Sequence, residues 1–426
     1  MKRVAILILK FFLMLMGLSK YDFYLWSGMK HRYWLCPFRS KVKVPRIRFT
    51  FPHAAKITPE DIELSTRLIS AYYKSTHGSN TPHDIAPKSM WDTIIKRYCE
   101  ELILALERAD AAALAIILST MFRSMILCGI ASCDLYKGLY KHRLGLRIWS
   151  LHLLDQIVSL GEYLAVIRTE SPEQGIVGYA FTESIGELVS RINKAAGISI
   201  GFPEIGAPYG LMCDGSLITM ESAEHIYVAL RINETINRFL GGVPPRIVEI
   251  GAGFGGTAFR LLQIRTMKVK SYTLIDLPYV NVIQGYFLSK VFGAKNVALH
   301  GETDCEHSII RILPTHAISL CSDVDLLINE DSMPEMPKKA VEDYVLWAKH
   351  NVRNGGIFYS YNQEAYSPVN NIPQVLVPEV VASVQGFDRV SRNDSWLHPG
   401  HVEEVYVIGK NRSQSDSSKE SLISRI

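Results

Sequence analysis

This chain has no C-x-x-C pair, and its seven cysteines (Cys36, Cys99, Cys128, Cys133, Cys213, Cys305 and Cys321) are an odd number. Neither a zinc ribbon nor a disulfide framework fits that count and spacing, so the thiols read as reduced and mostly buried, in a cytoplasmic protein. No internal repeat of useful period occurs, which excludes solenoids and propellers. The N-terminal apolar run, residues 4–18, is interrupted by Lys10 and falls short of the ~20 residues that span a bilayer. Charge is sparse, 21% of residues against 48% hydrophobic. A chain so apolar is not disordered, and one so mixed is not a polytopic membrane protein. Its 426 residues leave room for two or three domains.

Acid is scarce in one place above all. Residues 1–50 hold eleven Lys and Arg and a single carboxylate, Asp22, a balance of +10 that leaves −6 for the rest of the chain. Tyr21, Phe23, Tyr24, Trp26, Tyr33 and Trp34 follow the apolar run, interleaved with Lys30, His31 and Arg32. Rings and cations in this mixture suit an anionic membrane surface. A membrane anchor, a helix packed on the acidic body and a cleaved signal are the alternatives, the last weakened by Lys10 and by a poor Gly17-Leu18-Ser19 site. Segment 1–50 is therefore expected to touch the inner membrane peripherally. No nucleic-acid partner is expected, and a homo-oligomer is compatible with the sequence.

Residues 51–240 carry a mainly helical pattern. Thr58-Pro59-Glu60-Asp61 is a helix start: a hydroxyl cap, proline at the first position, then acids at the positive dipole end. Further helices are expected over 90–108, 110–130, 148–166 and 223–239, with a Gly- and Pro-rich structured loop at 197–219. This region is expected to bind an acceptor or a second copy of the chain. Gly241-Gly242-Val243-Pro244-Pro245 then changes the rhythm. Short apolar runs at 246–250, 271–277, 296–300, 325–329, 356–361, 386–391 and 403–408 alternate with helical segments such as 257–265 and 338–351. That alternation implies an α/β domain over 241–412 with a mostly parallel seven-stranded sheet, followed by a polar tail, 413–426.

The first of these strands runs into Glu249-Ile250-Gly251-Ala252-Gly253-Phe254-Gly255-Gly256-Thr257. Glycines there permit a sharp turn and close backbone approach to a ligand, while the following helix offers free N–H groups. The second strand ends at Asp276, placed to accept hydrogen bonds from ribose. The letters satisfy two patterns. Gly251-x-Gly253-x-x-Gly256 with Asp276 fits the dinucleotide fingerprint of NAD-dependent nucleotide-sugar oxidoreductases and epimerases. Glu249-x-Gly251-x-Gly253-x-Gly255 fits enzymes that use S-adenosylmethionine (SAM). Glu249 favours the second. A carboxylate at the end of a buried strand is costly without a cationic partner, and the methionine ammonium is one, whereas a pyrophosphate over the turn gains nothing from it.

The stretch Glu249–Gly256, then Tyr272-Thr273-Leu274-Ile275-Asp276-Leu277-Pro278, then Asn329-x-x-Ser332-Met333-x-Glu335-Met336, resembles the sugar O-methyltransferases of the class I SAM-dependent superfamily. Glu204-Ile205-Gly206-x-Pro208-Tyr209-Gly210 and His225-Ile226-Tyr227, with Arg231 a turn on, are similar to that family's preceding segment. The resemblance covers residues 198–410 and implies a Rossmann-like fold. It also implies that Glu249, Gly251 and Gly253 hold the methionine part of SAM and Asp276 its ribose, with Gly255, Leu277 and Asn329 completing the cofactor set. The implied acceptor is a hydroxyl of a sugar or glycan, in some cases lipid-linked; another small hydroxylated metabolite or a lipid headgroup is the alternative. Transfer to a hydroxyl needs a base. The candidates are Glu335 and Asp331, just past the fourth expected strand, and His398 and His401, which flank Pro399-Gly400 and suit proton transfer near neutral pH. Some sugar methyltransferases bind Mg²⁺; Glu330 and Asp331 are the acids placed for it, but no spacing demands a metal.

Overall fold

The computed structural model describes residues 49–51, 53–77, 90–131, 143–169, 184–302, 308–364 and 373–409. The apolar run 4–18, its aromatic cluster and the tail 413–426 lie outside the described residues, as do Cys36, Cys133 and Cys305; the other four cysteines are free thiols.

Among the described residues a short strand, β1 (Phe49–Thr50), precedes six helices: α1 (Pro59–His77), α2 (Met90–Tyr98), α3 (Glu100–Glu107), α4 (Ala111–Ser119), α5 (Arg143–Tyr163) and α6 (Ile185–Ala196). The start of α1 is as the sequence reads: Asp61 N–H donates to Thr58 Oγ1 and Thr58 N–H to Asp61 Oδ2, a reciprocal cap. The expected helix 90–108 instead breaks at fully buried Cys99, whose φ of −108° and ψ of 9° leave the helical range. The expected helix 110–130 stops at Ser119 and gives way to two 3₁₀ turns, Met121–Arg123 and Met125–Leu127. Tertiary hydrogen bonds explain the switch. Phe122 N–H donates to Gly206 O (3.0 Å), replacing the bond that a longer helix would make, and the Arg123 side chain holds the same loop by donating from Nε to Ala207 O (2.8 Å).

The segment expected as a loop, 197–219, contains a hairpin of β2 (Gly210–Cys213) and β3 (Ser216–Ile218), to which β1 adds antiparallel. Its two-residue turn, Asp214-Gly215, has φ of 45° and 79°, the positive pair a type I′ turn requires. Helix α7 (Ser222–Phe239) then leads into the sheet.

The remaining elements are β4 (Arg246–Ile250), α8 (Gly256–Leu261), β5 (Ser271–Asp276), α9 (Pro278–Phe292), β6 (Val297–Leu299), β7 (Ile310–Pro314), β8 (Val324–Glu330), α10 (Lys338–Asn351), β9 (Val352–Gln363), α11 (Val377–Ser383), β10 (Phe387–Asp394) and β11 (His401–Ile408). The sheet is ordered β10-β11-β9-β8-β4-β5-β7-β6, with β4 to β9 parallel and β11 antiparallel to both its neighbours. It has eight strands, not the seven expected. The addition is β7, five residues that end in a proline and lie between β5 and the edge strand β6.

Both faces are covered, as a parallel sheet requires. Val248, Ile250, Ile275, Leu327 and Phe358 face α10 and α11. Ile247, Leu274, Leu326 and Tyr359 face the other way, into a core that continues through α1, α3, α4, α5, α7 and α9. Residues on the helical and sheet sides of position 240 thus share one core. Phe122, Phe202, Phe254, Phe259 and Phe287 form its aromatic centre, with Phe122–Phe254 centroids 5.1 Å apart and Phe254–Phe287 5.2 Å. Among the described residues no helix is long and apolar enough to cross a membrane.

Candidate active site

The chain leaves β4 outward through β5 toward β6, and leaves β8 outward the other way through β9 toward β10. Adjacent strands β4 and β8 therefore diverge at their carboxyl ends, the position where open α/β sheets form a crevice. A cavity of ≈ 640 Å³ lies there. Its floor is the turn Gly251–Gly253, Asp276 and Glu330 at the ends of β5 and β8, and Asp331 and Ser332 just after β8. Its roof comes from the helical region: Trp91, Asp92, Ile95, Gly129 and Ile130.

Glycine is needed where the floor is tightest. Gly251 has φ of 70°, and a Cβ there would lie 2.0 Å from Ser332 Oγ, so the ends of β4 and β8 close on each other only through a bare backbone. Ser332 Oγ in turn donates to Ile250 O at 3.1 Å. At Gly256 a Cβ would meet the His225 ring at 2.3 Å. Phe254, between the glycines, is buried in the aromatic centre and ties the turn to the helical side.

The cavity is lined with acid. Asp92, Glu249, Asp276, Glu330, Asp331, Glu335 and Asp343 border it. Of the cations there, Lys339 is paired with Asp343, and burial pushes His225 down to about 4, with Arg260 adding to the shift and Glu224 opposing it. Glu249 is 1% exposed and accepts one hydrogen bond, from Tyr272 Oη at 2.7 Å. Burial pushes its pKa up to about 8; the Tyr272 bond pulls against that and the Asp276 charge adds to it. Asp276 is raised to about 7, again by burial, which outweighs hydrogen bonds from Leu277 N, Gly253 N and Gln284 Nε2 at 2.8, 3.2 and 3.0 Å. Its Oδ2 accepts two of these and Oδ1 one, so about one lone pair is left for a ligand hydroxyl. Burial also raises Glu330, which accepts a hydrogen bond from Thr257 Oγ1.

The structure brings most of the expected residues together. Glu249, Gly251, Gly253, Asp276, Leu277, Asp331 and Glu335 line the cavity. Gly255 and Asn329 do not. A Cβ on Gly255 would meet Leu288 of α9. Asn329 is fully buried and braces the loop, donating from Nδ2 to Ile250 O at 2.9 Å and accepting at Oδ1 from Met333 N–H. Glu335 ends the 3₁₀ turn Met333–Glu335. Burial lifts its carboxyl to about 7, the nearby Asp331 charge adds to this, and a hydrogen bond with Trp91 opposes it.

His398 and His401 sit at the rim, where the β10–β11 connection meets the crevice. His398 Nδ1 is 2.6 Å from Glu224 Oε1 of α7, and His401 Nε2 is 2.7 Å from Asp331 Oδ1. Their rings stack at 3.7 Å. Burial lowers the His398 pKa, but the Glu224 charge and hydrogen bond outweigh it and lift the ring to about 9. Glu224, Tyr272 and the roof residues escape the sequence reading. Glu224 immediately precedes the His225-Ile226-Tyr227 segment, so a signal existed for it; Trp91 and Ile130 carry none, because only tertiary packing aims them at the crevice.

The nucleotide-sugar oxidoreductase and epimerase alternative would need a catalytic Tyr-x-x-x-Lys near the sheet; that spacing occurs as Tyr286 to Lys290 on α9, but Lys290 pairs with Asp61 at 2.7 Å and neither residue lines the cavity.

No family model matches this sequence, and among curated proteins nothing matches it. Solved structures do show similarity. A ribosomal protein L11 methylase from Lactobacillus delbrueckii subsp. bulgaricus is similar over 43% of this chain and 78% of its own, at 11% identity and a TM-score of 0.31. A S-adenosylmethionine-dependent methyltransferase from Clostridium acetobutylicum is similar over 44% of this chain and 92% of its own, at 9% identity and a TM-score of 0.33. For a methyltransferase from Pyrococcus furiosus the figures are 43%, 85%, 11% and 0.31.

Proposed function

We propose that the crevice binds SAM and that the protein transfers its methyl group to a hydroxyl of a sugar or glycan. The observation that carries this reading is the ring of carboxylates around a glycine turn, centred on buried Glu249. A cationic ligand gains from that ring, and SAM bears both an ammonium and a sulfonium. The pyrophosphate of a dinucleotide would face the same acids unfavourably. The residues fit the cofactor: Glu249 would meet the ammonium, Gly251 and Gly253 let the backbone come close, and Asp276 Oδ1 would accept from one ribose hydroxyl. When bound, SAM supplies an electrophilic methyl group on sulfur. Glu335 lines the same cavity with a pKa of about 7, which suits removal of the acceptor's hydroxyl proton near neutral pH. An acid-lined cavity favours an uncharged polyol at the reacting position over a phosphorylated group. The Ser332-Met333-x-Glu335-Met336 loop, which resembles that of sugar O-methyltransferases, supports the choice of a sugar.

Calorimetry and labelled transfer test this together. SAM and S-adenosylhomocysteine are expected to bind and NAD and NADP not to. Labelled SAM should mark carbohydrate in an extract of the source cells. Glu335→Gln keeps the shape but takes no proton, so transfer should fall roughly 10²–10⁴-fold with SAM affinity unchanged. Tighter binding of NAD than of SAM would sink the cofactor reading, and near-normal transfer by Glu335→Gln would remove that residue as base.

A further inference from the structure

We propose that Asp331, His398 and His401 form a binding site for a divalent transition-metal ion at the rim of the crevice. One donor atom of each lies within 4.8 Å of the other two, the one such group of three among the described residues. The contact between Asp331 Oδ1 and His401 Nε2 is informative. At 2.7 Å the atoms are close enough to hydrogen bond, yet they are not aligned as one, and the buried Oδ1 has no hydrogen-bond partner among the described residues. Oδ1 therefore keeps its lone pairs for an incoming ion, with His401 Nε2 beside it and a donor atom of His398 within the same reach.

The neighbours hold the ligands in place. Glu224 takes Nδ1 of His398 at 2.6 Å and leaves Nε2 as its free ring nitrogen, the carboxylate–histidine arrangement that orients metal-binding imidazoles. His401 stacks on Tyr361 at 5.4 Å. The β10–β11 connection that carries His398 is pinned by Trp396, whose Nε1 donates to Ser159 O of α5 at 2.9 Å. Asp331 takes φ of 53°, a left-handed conformation that is uncommon outside glycine, directly after β8.

Two imidazoles and one carboxylate select zinc, cobalt, manganese or iron rather than Mg²⁺, which prefers oxygen ligands. This differs from the Asp331–Glu330 pair expected from the sequence, since Glu330 is engaged by Thr257. Three protein ligands would leave coordination positions open, and one of the three, Asp331, lines the cavity. The site stands by itself. Its role as a Lewis acid on the acceptor hydroxyl rests on the methyl-transfer reading.

The test uses the full chain, stripped with a chelator and titrated with Co²⁺ while visible absorption is followed, then loaded with Zn²⁺ and assayed for metal after gel filtration. About one equivalent is expected, with a d–d band shaped by imidazole ligands. His398→Ala, His401→Ala and Asp331→Asn should each weaken binding at least tenfold, and Glu224→Gln by roughly 10–100-fold. Circular dichroism and thermal melts of the metal-free variants report whether they fold, and half-exposed His398→Gln substitutes where His401→Ala does not. Retention of less than a fifth of an equivalent, or binding unchanged in folded His398→Gln and Asp331→Asn, overturns the site. Metal binding in a protein that ignores SAM would uphold it and defeat the methyl-transfer reading.

Discussion

Glu249 holds a proton that an exposed carboxylate would have lost. In the unfolded chain it ionises near 4.5, while in the folded protein burial keeps it neutral to about 8. Between those values the unfolded state binds fewer protons, so stability falls as pH rises. Asp276, raised to about 7, acts in the same direction. The melting temperature of the ligand-free protein should therefore decline from about pH 5 to about pH 8, and Glu249→Gln, with no proton to lose, should flatten that decline. Equal slopes for both proteins would contradict the assignment. A cationic ligand needs the ionised form, so SAM affinity should rise over the same range, with proton release visible as a dependence of binding enthalpy on buffer. The sequence already marked Glu249 as costly, because apolar neighbours on both sides imply a buried strand. Tyr272 could not be read as its partner. The register sets Ile247 opposite Tyr272 and Glu249 opposite Leu274, and this diagonal pairing exists only once β4 and β5 align.

At the scale of elements, the glycine turn is held from the far side of the chain. Phe254 within it packs on Phe122, which belongs to a 3₁₀ turn more than a hundred residues earlier. Phe122→Ala should cost about 3–5 kcal/mol, as buried Phe truncations do. It should also weaken SAM binding although Phe122 does not line the cavity. Denaturant melts and calorimetry check both halves; loss of stability with intact SAM affinity would uncouple the two. This link was not legible, because a helix broken by hydrogen bonds to residues 206 and 207 still has a helix-like sequence. Strands were easier where apolar runs were long. The β7 run is short and ends in proline, so its sequence does not mark a strand. The β2–β3 hairpin carried a clear signal in Asp214-Gly215, and the density of nearby Gly and Pro masked it. The glycine turn, Asp276 and the loop after β8 were legible because each follows directly on a buried strand.

At the scale of the molecule, the boundary near residue 50 has structural content. Phe49 and Thr50 pair with Leu211 and Gly210, so they belong to the body and not to the basic segment before them. A chain starting at Phe49 should fold and bind SAM; one starting at His53 should melt lower, since β2 loses its neighbour. We propose that the +10 segment meets anionic lipid, each cation near the surface contributing about 1 kcal/mol. The full chain should then sediment with anionic vesicles at low salt and the Phe49 version should not; equal sedimentation would place the lipid contact elsewhere. On the proposed methyl-transfer reading, the core shared across residue 240 also bears on how acceptor choice is able to diversify. A roof and floor joined by five phenylalanines cannot be exchanged as separate cassettes, because a crossover at 240 would set Phe122 against rings it did not evolve with. On that reading, new acceptors are reached by single replacements at Trp91, Ile95 or Ile130, where a side chain meets the cavity and the aromatic centre is left alone.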